Sequence, residues 1–141
     1  MMYLLYVSEA AYPMETSDLL DILTVSRRNN LRDDITGLLL YKDRQFIQLL
    51  EGPKSNVIGL HRRLMTDPRH TSVRTMLSGP LQERQFNNWA MAFYDLSKVD
   101  QRHVPGLSDF LQKPFDEHEF LKTPNRAYRF LLNFKDMPQH A

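Results

Sequence analysis

Three polar side chains on otherwise apolar runs could do chemistry here: Tyr6, Asn30 and Gln48. A phenol donates a hydrogen bond and, to a strong oxidant, an electron. A primary amide carries a donor end and an acceptor end, and burying it unpaired costs about 1–3 kcal/mol. Taken singly, each has a structural reading. Gln48 could satisfy neighbouring backbone groups or a water, and Tyr6 could be a core tyrosine with its hydroxyl bonded. Taken together they form a polar cluster that a heteroaromatic ligand edge, with donors and acceptors of its own, would satisfy. Arg63 and Asp67 stand at i and i+4. They read either as a surface ion pair of little energetic worth, or as an arginine donating to a ligand carbonyl while the aspartate orients it. Trp89 and Met91 share one face of a strand. They are either core filling or a contact that changes place with the state of the site.

These residues need elements to hold them. Residues 3–8 are β-prone and apolar on both faces, which predicts a buried central strand with Tyr6 and Leu4 on one side. Thr16 or Ser17 can cap a helix whose first turn carries Asp18 and Asp21. Leu19, Ile22 and Leu23 form its inward stripe, which continues into Ser26 and Asn30. Residues 35–41 and 45–51 predict two strands joined by a short turn, with Phe46, Gln48 and Leu50 on one face. Pro53 suits the first turn of a second helix with the stripe Val57, Leu60 and Leu64. Asp67-Pro68 ends that helix. Residues 73–77 and 90–94, the latter with Trp89, predict two more strands.

The order is β-α-β-β-α-β-β. This is an α+β, ferredoxin-like pattern with a five-stranded mixed sheet and two helices on one face. The first and third strands are expected side by side and parallel, which makes Tyr6 and Gln48 neighbours. Helices over 100–113 and 125–136 are expected on the other face. Residues 1–95 read as the ligand-binding unit and 96–141 as a helical extension.

Composition narrows the function. Hydrophobic residues are 42% and charged residues 25%, an ordinary globular balance. Cysteine is absent, which excludes disulfides, thiolate metal sites and any cysteinyl adduct. It also suits a cytoplasmic location. A net charge of +1 gives no electrostatic reason to expect nucleic acid or a membrane surface as partner. The N-terminus lacks a basic region and a long apolar run, so neither a signal peptide nor a membrane span is expected. The histidines His61, His70, His103, His118 and His140 show no metal-ligand spacing. Phosphate-loop and nucleophile-elbow motifs are absent, which argues against an enzyme.

The strings YVS (6–8), SRRNN (26–30), ITG (35–37), FIQLLEG (46–52), DPRH (67–70), RQF (84–86) and WAM (89–91) resemble, in order and spacing, the BLUF family of blue-light sensors that use FAD. The resemblance covers about residues 3–95. Ala90 departs from it, since many members carry serine there. The resemblance implies a flavin ring between the two helices, edge-on to Tyr6 and Gln48. Asn30 would bond its pyrimidine edge with Asn29 nearby, and Arg63, supported by Asp67, would face a ring carbonyl. Ser26 and His70 are further cofactor-site positions, and Trp89 or Met91 occupies the space beside Gln48. FAD is the expected cofactor, with FMN or riboflavin as substitutes. Arg27, Arg28 and Arg32 are candidates for its pyrophosphate and equally fit a solvated face.

The mechanism so implied is light-driven, proton-coupled electron transfer from Tyr6 through Gln48, which is left rotated or tautomerised. The signal would pass by Trp89 and Met91 to the C-terminal helices and on to a downstream protein partner or a homo-oligomer. Two rivals share the fold. One is a light-insensitive ligand-binding or protein-interaction module. The other is an acylphosphatase-like hydrolase, disfavoured because residues 9–15 hold no arginine for an anion.

Overall fold

A central strand buried on both sides organises the chain. A computed structural model describes residues 1–42, 44–68, 70–86, 90–95 and 131, with the side chain of His70 outside that description. Strand β1 (Met2–Ala10) is buried from Leu4 to Ser8, as a two-sided apolar run requires. Helix α1 (Thr16–Arg32) buries Leu19, Ile22, Leu23 and Asn30 on one stripe. Its N-cap is Glu15, one residue before the expected Thr16 or Ser17. The reason is Asp18, whose Oδ2 accepts the Glu15 backbone N–H at 3.0 Å, so an acid in the first turn completes a capping box.

Strands β2 (Thr36–Lys42) and β3 (Gln45–Gly52) form a tight hairpin closed by the Lys42–Gln45 pair. Arg44 takes a φ of 65° to make that turn. Gly37 of β2 lies against β3 so closely that a Cβ would stand 2.0 Å from the Leu49 carbonyl oxygen. Helix α2 (Lys54–Met65) follows Pro53 and buries Val57 and Leu60. Strand β4 (His70–Pro80) is longer than its apolar residues suggested. It is an edge strand, and pairing with β1 rather than burial sets its length. Strand β5 (Ala92–Asp95) starts two residues later than expected, so Met91 precedes the strand.

The sheet order is β4-β1-β3-β2-β5. β1 and β3 are neighbours as expected, but antiparallel rather than parallel. The connections dictate this. The α1 crossover returns β2 parallel to β1, and the hairpin then sends β3 back between them. The sheet is mixed because β2 and β5 run parallel. The pairing register sets Tyr6 opposite Gln48 and Leu39 opposite Gln48 on the other side.

Both sheet faces are buried. Tyr6, Leu39, Phe46, Leu50 and Phe93 pack with Leu19, Ile22, Leu23, Val57 and Leu60 of the two helices. Leu5, Val7, Leu38, Leu40, Ile47, Leu49 and Tyr94, of opposite parity, are also buried. This is the ferredoxin-like α+β architecture, a five-stranded mixed sheet with two helices. Of the helices expected over 100–113 and 125–136, only Leu131 falls among the described residues, and it is helical and fully buried. Among the described residues no helix is long and apolar enough to cross a membrane.

Because β4 and β5 are opposite edges, the strap between them, of which residues 81–86 and 90–91 are described, keeps to one end of the sheet. Leu81 N–H bonds Met1 O at 3.0 Å, over the start of β1. Arg84 reaches Asp34 O at 2.8 Å and Thr36 Oγ1 at 3.0 Å, at the start of β2. The end of β1 where it starts, the end of β3 where it stops and the C-terminus of α1 all meet this strap.

Candidate flavin site

Tyr6 and Gln48 lie on the helix-covered face of the sheet and are almost wholly buried. Their strands pair directly, and Tyr6 OH donates to Gln48 Oε1. Burial, and secondarily the negative charge of Asp67, hold the Tyr6 phenol well above its ordinary pKa, so it is neutral and keeps its proton. Gln48 presents its donor end to Met91, with Nε2 3.7 Å from the thioether sulfur. One amide therefore connects a phenol on β1 to a methionine just before β5. The acceptor end serves one and the donor end serves the other.

Helix α1 holds the same segment from its own side. Asn30 is 1% exposed on the last turn, and its Nδ2 donates to Ala90 O at 2.7 Å. One turn earlier, Arg27 Nε donates to Met91 O at 3.0 Å. Two consecutive carbonyls of the strap are thus tied to α1. Ser26 and Asn29 flank these residues and are half-buried.

Helix α2 contributes His61, whose ring meets the Tyr6 ring edge-on, with centroids 5.8 Å apart and planes at 68°. Burial lowers the His61 pKa, which favours the neutral imidazole. Its Nε2 lies 3.4 Å from Thr75 Oγ1. Arg63 NH2 pairs with Asp33 Oδ2 at 3.1 Å, linking the ends of the two helices. Asp33 also takes Arg32, whose hydrogen bond leads in holding the Asp33 carboxyl below its usual range.

Tyr6 and Gln48 of the expected cluster are therefore in direct contact, with Met91 added to them, and Asn30 reaches the neighbouring residue Ala90. Arg63 stands at the helix ends with Asp33 as its described ion pair. Trp89 and the side chain of His70 lie outside the described residues. Two residues with a part here, His61 and Glu51, were not singled out as site residues from the sequence, and Arg27 was named only as a pyrophosphate candidate. His61 had a signal, since it falls four residues after Val57 on the inward face of α2. Arg27 had none that separates it from Arg28 beside it. Glu51, fully buried at the end of β3, could have been found as an acid at the same strand parity as Ile47 and Leu49.

Tyr6, Gln48 and Met91 thus form a buried relay on the helix-covered sheet face, and Arg27 and Asn30 of α1 hold the backbone at residues 90–91. The fold and site thus define a small α+β domain with a buried polar relay beneath its helices. A family model described as "BLUF: Sensors of blue-light using FAD" matches residues 1–92, and the chain belongs to this family. It is 37% identical over 131 residues to the photoactivated adenylate cyclase subunit beta of Euglena gracilis. That match covers 91% of this chain and 15% of the cyclase subunit, so the chain spans only a small part of that relative. It is 32% identical over 117 residues to the blue light- and temperature-regulated antirepressor BluF of Escherichia coli (strain K12), covering 81% of this chain and 28% of the relative. Among solved structures, the dark state of BlrB, a BLUF protein, superimposes with a TM-score of 0.69 at 31% identity. That match covers 89% of this chain and 96% of BlrB. The family is one of sensors of blue light that use FAD.

Proposed function

We propose that this chain binds FAD non-covalently and converts blue light into a change of hydrogen bonding at Gln48. The observation that carries this reading is the buried relay from Tyr6 OH to Gln48 Oε1 and from Gln48 Nε2 to Met91 Sδ. Asn30, Asn29, Gln48 and Ser26 would hold the flavin between α1 and α2, with Arg63, Asp67 and His70 at the α2 side. A bound flavin supplies the absorption of blue light and, once excited, a strong one-electron oxidant. FMN or riboflavin would supply the same chemistry.

Tyr6 then gives up an electron, and its phenolic proton leaves along the existing bond to the Gln48 amide oxygen. When Tyr6 regains both, the Gln48 amide is left rotated or tautomerised. Rotation exchanges its two ends, so Met91 Sδ loses the N–H it faces. A two-state element biased by one local hydrogen bond is sufficient for a switch. The change reaches the strap before β5, where Trp89 and Met91 sit in sequence. From there it passes to residues 96–141, which follow the 1–95 flavin-binding unit and, apart from Leu131, lie outside the described residues. Output then goes to a downstream protein partner or through self-association of the chain, in the cytoplasm.

The test is spectroscopic. Purified protein should be yellow, and its flavin band should shift red under blue light and recover in darkness. Tyr6→Phe and Gln48→Leu should each bind flavin without giving the shift. A colourless protein that FAD, FMN and riboflavin cannot reconstitute would mark a light-insensitive module instead.

A further inference from the structure

His61 stands on α2 and is half-buried. It follows Val57 by four residues, so it shares the helix stripe that packs on the sheet. Its ring meets the Tyr6 ring edge-on, with the centroids 5.8 Å apart. Its Nε2 stands 3.4 Å from Thr75 Oγ1. Thr75 is the β4 partner of Tyr6, as Gln48 is its β3 partner. Tyr6 is thus flanked along the sheet by Thr75 and Gln48, and His61 touches Tyr6 and Thr75 from the helix layer. The phenol hydroxyl meets Gln48, whereas the phenol ring meets His61.

A titratable ring therefore lies against the group that gives up an electron in the photosensor reading. Among the described residues, β1 sets Tyr6 against His61, and Val73 and Thr75 of β4 share that side of the sheet. On β3 the residues of this face are Phe46, Gln48 and Leu50. Of these, Tyr6 alone is titratable. Arg62 and Arg63 of α2 are exposed, and Arg63 pairs with Asp33. Arg74 of β4 is exposed and of opposite parity to Thr75. Asp67, past the end of α2, acts on Tyr6 through its negative charge. Burial lowers the His61 pKa, so the imidazole is uncharged at neutral pH.

Loss of an electron from Tyr6 leaves one unit of positive charge on the Tyr6–Gln48 pair. Passing the phenolic proton to Gln48 Oε1 moves that charge along the relay but does not remove it. The charge disappears only when Tyr6 regains its electron. Asp67 favours the charged pair, and a cation at His61 opposes it. At the ring separation of 5.8 Å and an effective dielectric constant of about 20, a unit charge disfavours it roughly a hundredfold at equilibrium. Half of that free energy felt in the transition state slows the electron transfer about tenfold.

We propose that His61 sets the acid limit of the photoresponse: as a neutral imidazole it lets Tyr6 give up its electron, and as an imidazolium it withholds that electron. His61 is thus a positioning residue that acts through Tyr6. This rests on the photosensor reading above, and the experiment separates the two.

The His61 titration is measured first, by NMR of flavin-free protein in darkness, with His61→Phe identifying its resonance. Flavin-loaded wild-type protein is then followed from about pH 8 to about pH 5. The quenching of flavin fluorescence and the yield of the red-shifted state, each per bound flavin, should fall with the His61 midpoint. The fall in the electron-transfer rate should be roughly tenfold. In His61→Phe the yield should no longer depend on pH, whatever its level. A wild-type yield that stays constant through the His61 titration overturns the proposal, as does a His61→Phe protein that keeps the acid loss. His61→Arg is charged at every accessible pH and tests the same point without acid. At about pH 8 it should reproduce the weak quenching of acidified wild type, and full quenching there overturns the proposal. A flavin-loaded wild-type protein with no red shift at any pH overturns the photosensor reading instead.

Discussion

Removing either end of the Tyr6–Gln48 bond should destabilise the protein more than removing both. Both residues are nearly fully buried and face each other across paired strands. Tyr6→Phe deletes the donor and leaves the Gln48 acceptor without it; Gln48→Leu deletes the acceptor and leaves the phenol hydroxyl without it. Each orphaned group costs about 1–3 kcal/mol, because water does not reach it. The double variant places an apolar ring against an apolar chain of similar shape, which is close to neutral once packing adjusts. The coupling energy across the cycle should therefore be at least ~1 kcal/mol, against the few tenths expected of independent sites. The assay is urea unfolding of the four proteins. It is run at two flavin concentrations, so that stabilisation by ligand binding can be subtracted. Additive losses within about 0.5 kcal/mol would falsify a direct buried bond between these groups.

Two further outcomes follow from the same geometry. Met91→Leu keeps the volume but removes the sulfur facing Gln48 Nε2, so the flavin red shift should persist while dark recovery changes rate, measured by absorbance after a light pulse. At alkaline pH, Tyr6 is protonated in the fold with its pKa raised by burial, whereas in the unfolded chain it ionises near about 10. Stability is therefore full below that value and falls as pH rises above it, and Tyr6→Phe should flatten this fall relative to wild type in unfolding midpoints measured from pH 8 to 11.

Residue by residue, the site was legible to different depths. Tyr6 and Gln48 could be paired because strand side chains alternate with period two, a property of the local backbone alone. Asn30 was legible as the polar end of the α1 stripe. The direction of β3 relative to β1 was misread, and yet the pairing of Tyr6 with Gln48 survived, because parity does not depend on strand direction. Met91 was assigned to a strand, whereas it sits just before one. There its carbonyl and sulfur meet Arg27 and Gln48 across 64 and 43 residues of sequence. Glu51 ended an apolar run and gave no sign that its carboxylate accepts the Gln85 and Phe86 backbone N–H groups.

What the sequence by itself determined is therefore the set of elements, the face on which each side chain stands and the family to which the pattern belongs. These follow from short-range periodicity and from motifs with set spacing. The tertiary structure alone decided three other things: the antiparallel run of β3 between β1 and β2, the ion pair of Arg63 with Asp33 across the helix ends, and the anchoring of residues 81–86 and 90–91 at one end of the sheet. Each depends on where the chain returns after a long connection. No local property encodes that, because many partners are equally distant along the sequence until the sheet order selects one.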